Sequence, residues 1–189
     1  MKSSVKKLFH LFSLIIICPL AMAYKVTRCR SLFSSQGALL SLIPGKIGSY
    51  LRVAYYRMTL QKSSNNGYIG FGSYFAHPEA EMGKKVYIGS YCILGMVRIG
   101  NHTTIGSGVH ILSGRHQHGY KEIGKPIQEQ KGFFQKISIG ENCWIGNCAV
   151  VMANIGKQNV IAAGGVVVKD TEDYKVLVGN PAKVKHDID

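Results

Sequence analysis

The chain has 189 residues, 46% of them hydrophobic, with 22 glycines, five prolines and a formal net charge of +13. That length suits one domain with a sizeable core, or a small domain plus an appendage, and the apolar share excludes a disordered chain. The charge is unevenly placed: ten lysines or arginines precede Glu79, the first acidic residue, whereas 13 basic and 10 acidic side chains follow from there on.

The chain opens with "MKSSVKKLFHLFSLIIICPLAMAYK". A basic start, an apolar run over 8–23 and Ala-Met-Ala fit a cleavable signal peptide. They also fit an uncleaved anchor in the inner leaflet of a membrane. The run is short against the roughly 20 residues of a span, and it contains Pro19. Over 35–60 the spacing predicts helix, broken at Pro44-Gly45. After the break, Ile47, Tyr50, Leu51 and Ala54 alternate with Lys46, Arg52 and Arg57. This reads as a basic amphipathic helix, laid on a membrane or packed on the next domain, and "SSNNG" ends it. Residues 1–64 are therefore expected to form a helical N-terminal segment, with 1–60 meeting an anionic inner-membrane surface. No nucleic-acid-binding motif accompanies the charge, so no nucleic acid partner is expected.

From Ile69 the pattern changes. A bulky apolar residue recurs about every six positions through Phe75, Met82, Ile88, Leu94, Ile99, Ile105 and Ile111. It resumes at Ile139 and runs through Ile145, Val151, Ile155, Ile161 and Val167. Glycine commonly follows, and a small residue such as Ser73, Cys92, Thr103 or Cys143 stands four places on. A period of six fits neither helix nor hairpin. It fits a solenoid of triangular coils, three short strands each, with the apolar residue inward and glycine giving the corner its backbone freedom. The register has defects: one residue inserted near Glu81, one lost before Ile99, two missing between Val151 and Ile155, and Asn159 at a small inward position. The five cysteines form no CxxC pair, and their odd number suggests reduced thiols. Cys92 and Cys143 read as small inward residues.

The rhythm stops once, over 113–136, at Arg115-His116-Gln117-His118. A neutral imidazole in such a loop can take a proton from a hydroxyl as it attacks a carbonyl. His77, His110, His116 and His118 compete for that role. Glu122 or a backbone carbonyl is the expected orienting group.

The C-terminal strings "IGENCWIGN", "AAGGVVVKD" and "VGNPAKV" stand in an order that resembles the hexapeptide-repeat acyltransferases, over roughly 69–185. The resemblance implies an all-β, left-handed parallel β-helix at 65–185, an active-site loop at 113–136 and a tail at 186–189. It further implies a homotrimer with acetyl-CoA in a groove between neighbouring β-helices, and His116 as the loop histidine and first candidate for the base, followed by His118, His110 and His77. By the family order Lys169 meets the CoA phosphates, with Lys183 and Lys185 as further candidates. Ala162, Ala163 and Gly164 let pantetheine approach the backbone, and Trp144 lines the groove. With the basic apolar N-terminus, the chain looks most like bacterial O-acetyltransferases of surface-polysaccharide biosynthesis, acting on a sugar hydroxyl. Because acetyl-CoA is cytosolic, the expected place is the cytoplasmic face of the inner membrane, or otherwise the cytoplasm. N-acetylation of a nucleotide sugar is a nearby alternative. A γ-carbonic-anhydrase-like trimer, with zinc on His116, His118 and His102 or His110, is the other. The "VVVKD" and "NPAKV" strings favour the acetyltransferases, and no metal is expected.

Overall fold

The computed structural model describes residues 3–188, with side chains from Leu8 onward; Met1, Lys2 and Asp189 lie outside the described residues. Three helices come first: α1 at Ser3–Thr27, α2 at Arg30–Ser41 and α3 at Gly45–Thr59. Gly45, in the left-handed region at φ +71°, makes the break expected at Pro44-Gly45. Everything after α3 is a parallel solenoid with three faces. The first face stacks Lys62–Ser63, Glu81–Met82, Val97–Ile99 and Ile137–Ile139. The second runs from Tyr68–Ile69 through Tyr87–Ile88, Thr104–Ile105, Trp144–Ile145 and Val160–Ile161 to Lys175–Val178. The third stacks Tyr74–Phe75, Ile93–Leu94, His110–Ile111, Val150–Val151 and Val166–Val167. Strand pairing thus begins at Lys62, slightly ahead of the boundary at 65 read from the sequence.

All fourteen apolar positions of the six-residue rhythm are buried, Ile69, Ile88, Ile105, Ile145 and Ile161 completely. Each such side chain contributes roughly 1.5–3 kcal/mol by leaving water. The register defects are differences in coil length. Equivalent corner residues are 19 apart between Ser73 and Cys92, 17 apart between Ser90 and Ser107, and 16 apart between Ser138 and Asn154. Across the loop the interval is 40, as between Ser107 and Asn147.

The corner glycines have a different cause from the one the sequence suggested. The left-handed turn residue sits two places later, and in most coils it is not glycine: Lys85, Tyr91, His102, Asn142, Cys148, Gln158. What requires glycine at Gly89 is the neighbouring coil, because a Cβ there would lie 2.5 Å from the Ser107 backbone nitrogen. The small inward residues also bond from coil to coil. Ser73 Oγ donates to the Gly89 carbonyl at 2.7 Å, and Thr103 Oγ1 to that of Gly140 at 2.9 Å. The Cys92 and Cys143 thiols donate to Gly106 and Gly156 at 3.0 and 3.1 Å. Burial pushes both thiols up in pKa, which keeps them protonated donors. Asn159, completely buried, spans the same gap with its amide to the Glu172 carbonyl at 2.7 Å, and its oxygen accepts from Lys175 N at 2.6 Å.

Helices α2 and α3 close the first coil. Here the expected helix face is wrong at Arg52. Ile47 is 64% exposed, and Arg52, read as a polar-face residue beside Lys46 and Arg57, is completely buried. Its guanidinium donates to the carbonyls of Leu40 (3.0 Å), Ser41 (3.2 Å) and Ile43 (2.8 Å) past the end of α2, and of Ile69 (3.0 Å) in the first coil. A cation there meets the negative end of the α2 dipole as well as four acceptors. Tyr56, also completely buried, accepts from Phe75 N at 3.0 Å and so ties α3 to the third face.

Candidate active site

The long loop leaves the solenoid at the corner between the third and first faces and returns to the same corner. Its two limbs run side by side: Gln135 N donates to the Ser113 carbonyl at 3.0 Å, and Phe133 N to that of His116 at 2.8 Å. Ser113 is buried, and its hydroxyl accepts from Met96 N at 2.8 Å. At the tip the Gln130 amide bridges the Glu122 and Lys125 carbonyls at 3.0 and 2.9 Å. At the return, Lys136 reaches Glu81 at 2.9 Å and Gln61 at 2.6 Å. Glu81 also takes Arg98 at 3.1 Å, and these two cations hold its carboxyl below the usual range.

His116 projects from this base with its ring stacked on Phe133, centroids 5.4 Å apart. Its Nε2 accepts from Arg115 Nε at 3.2 Å. Arg115 in turn donates to the Val168 carbonyl at 3.2 Å. Arg115, His116, Asn154, Lys169 and Asp170 line one cleft of about 370 Å³. Within it Asn154 and Asp170 are paired at 2.9 Å, which fixes the wall opposite the histidine. His116 also borders a second cleft of about 240 Å³, shared with His118, Tyr120, Glu122 and Phe133. The expected orienting role of Glu122 is not seen, since its carboxylate pairs with Lys125 at 3.0 Å. Phe133 and Arg115 hold the ring instead. Neither could be read from the sequence, because the first contact depends on the loop's fold-back and the second is anchored 53 residues away.

The remaining candidates lie elsewhere on the single chain. Trp144 stands out from the second face, between Thr104 and Val160. Ala162, Ala163 and Gly164 form the corner between the second and third faces, where Gly164 N meets the Asn147 carbonyl at 2.8 Å. Lys183 and Lys185 sit on the strand Lys183–Asp187, which turns back antiparallel along Lys175–Val178. One chain therefore joins His116 to Lys169 and leaves the other candidates on a neighbouring face and corner. His110 is exposed on the third face. His77 packs on Phe134 at 5.2 Å, and burial pulls its pKa down against the opposing pull of Glu79. Among the described residues no three His, Cys, Asp or Glu side chains converge as a metal site.

Fold and site together define a hexapeptide-repeat solenoid with a histidine-bearing loop at one corner. No family model matches the chain. It is similar to galactoside O-acetyltransferase of Lactococcus lactis, 35% identical over 94 residues, 48% of this chain and 42% of that one. It is also similar to chloramphenicol acetyltransferase of Klebsiella aerogenes, 34% identical over 125 residues, 58% and 54% of the two chains. The chain spans about half or less of the length of the curated relatives it matches. Among solved structures, the hexapeptide-repeat acetyltransferase of Vibrio cholerae in complex with acetyl-coenzyme A has the same fold. Its TM-score is 0.69 at 20% identity, over 84% of this chain and 88% of that one. The architecture is the parallel solenoid expected from the repeats, and it matches the left-handed β-helix that the resemblance implied. The chain thus shares the fold of the hexapeptide-repeat acetyltransferases and is similar in sequence, over part of its length, to several acetyltransferases.

Proposed function

We propose that this chain is an acetyl-CoA-dependent O-acetyltransferase that acts, as a homotrimer, on a sugar hydroxyl of a surface polysaccharide or its lipid-linked precursor. The observation that carries this reading is the position of His116 on the wall shared by two clefts, one of which holds Lys169. Acetyl-CoA as donor suits the Lys169 side, where Arg115 adds a second cation for phosphate. The acceptor suits the side of His118 and Tyr120. An incoming hydroxyl replaces Arg115 on His116 Nε2 and gives up its proton there as its oxygen attacks the thioester carbon. The tetrahedral intermediate then expels the CoA sulfur, and the imidazolium returns the proton to it. Side-by-side packing of three chains would bring the Trp144 face or the Lys183 strand of one against the cleft of the next. That accounts for cofactor candidates divided over one chain. The galactoside enzyme among the relatives supports a sugar hydroxyl as acceptor.

The test is transfer of labelled acetyl from acetyl-CoA to glycan fractions and small sugars. His116→Ala is expected to lower turnover by about 10²–10⁴-fold with acetyl-CoA affinity nearly intact, and His118→Ala to cost much less. Full activity in His116→Ala would overturn the assignment of the base.

A further inference from the structure

The helical cap carries a surface that acetyl transfer does not use. Around its apolar run α1 is hydrophobic on every side, yet only the stripe Ser13, Ile17, Ala21 and Tyr24 is buried. Leu8, Leu11, Phe12, Ile15, Ile16 and Val26 stand exposed. A helix that is hydrophobic all round needs apolar surroundings, and the protein supplies them on one side only.

The stretch Leu8–Thr27 has the length and composition to cross a bilayer, but the fold ties both ends of it to one body. Near its start Phe9 stacks on Tyr50 at 5.7 Å, and His10 meets the same ring edge-on at 4.8 Å. Near its end Tyr24 packs on Phe33 at 5.3 Å. Tyr50 belongs to α3, which Arg52 and Tyr56 fasten to the first coils. A crossing α1 would drag α3 and that coil into hydrocarbon, where their polar groups have no place. Cleavage after Ala23 would remove Ile17 and Ala21 from the core that also holds Phe33 and Tyr55.

Basic clefts flank the run at both ends. Lys46 and His10 line one of about 390 Å³, and Lys25, Arg28 and Arg57 line another of about 560 Å³, in which Glu79 is ion-paired to Arg30. On a crossing helix these clefts would face opposite leaflets. On a helix lying flat, both meet one layer of phosphates.

We propose that α1 is a retained, monotopic docking helix whose outer face rests in the headgroup–acyl boundary of an anionic bilayer. Its inner stripe stays in the protein core, and the two basic clefts take lipid phosphates. The inference does not rest on the acetyl-transfer reading.

Full-length protein is sedimented with phosphatidylcholine vesicles, with and without phosphatidylglycerol, and bound vesicles are washed in alkaline carbonate. Binding is expected only with phosphatidylglycerol, with release by carbonate. Phe12→Glu/Ile16→Glu and Arg28→Glu/Lys46→Glu each reduce it by about tenfold or more. All four positions are exposed, so circular dichroism, melting and acetyl transfer to a soluble acceptor should be unchanged. Any of four results overturns the proposal: no preference for anionic vesicles, resistance to carbonate, a mature N-terminus at Tyr24, or a Phe12→Glu/Ile16→Glu protein that changes oligomeric mass but still binds. The last would assign the face to a second copy of the chain. Vesicle binding without transfer activity would sink the enzymatic reading alone.

Discussion

At Lys169 a single ammonium faces the cleft that also contains Arg115 and His116. If it meets a CoA phosphate, Lys169→Glu exchanges attraction for repulsion. Acetyl-CoA binding should then weaken by about tenfold or more, with turnover at saturation less affected. Salt should weaken the wild type in the same direction, because the contact is charge to charge. Titration calorimetry with acetyl-CoA and its dephospho form checks this, and the mutational loss should shrink with the dephospho form if the 3′-phosphate is the partner. Lys169 was named through the family resemblance that "VVVKD" carries, and it lines the same cleft as His116. Arg115 was not legible in the sequence. Its role depends on a hydrogen bond to the Val168 carbonyl, and only the folded loop brings those residues together.

The loop and α3 are each held by one charged residue with several partners. For the loop it is Glu81, which joins Lys136 at the returning limb to Arg98 on the next coil. Its carboxyl titrates below the ordinary range in the folded chain, so its contribution is full above that range and is lost as pH falls through the folded value. Glu81→Gln should therefore cost about 0.5–1 kcal/mol at neutral pH. The penalty should vanish in acid below the folded value, as read from urea midpoints across that range. For α3 it is Arg52. Arg52→Leu removes the side-chain donor from all four carbonyls; Leu40 and Ser41 keep backbone donors from Ile43 and Gly72, but Ile43 and Ile69 lose theirs, and the change should destabilise by roughly 2–3 kcal/mol. The apolar column of the solenoid was readable because a six-residue period has one structural meaning. The burial of Arg52 was not, because its partners are backbone carbonyls from separate segments and carry no side-chain signature.

For the whole molecule, the informative region is the junction of cap and solenoid. The sequence offered two readings of the first run, signal peptide or anchor, and neither included a place in the core. Yet Ile17, Ala21 and Tyr24 are buried together with Phe33, Tyr55 and the first coils. Removing residues 1–30 should consequently not release a well-behaved soluble domain. The expectation is a lower melting temperature and aggregation, read by light scattering and circular dichroism. A truncated chain that melts like the full-length protein would show the solenoid to be independent of its cap.

Both ends of the solenoid are blocked, and this limits how copies can assemble. At the start α2 and α3 lie against the first strands of all three faces. At the other end Lys183–Asp187 runs antiparallel along the last strand of the second face, occupying the edge a further coil would use. A parallel stack with an open edge is a template for end-to-end growth into a fibre. Here the chain carries its own stoppers, which disfavours end-to-end stacking of copies. In the homotrimer proposed above, chains would therefore meet flank to flank, beside the corner bearing His116.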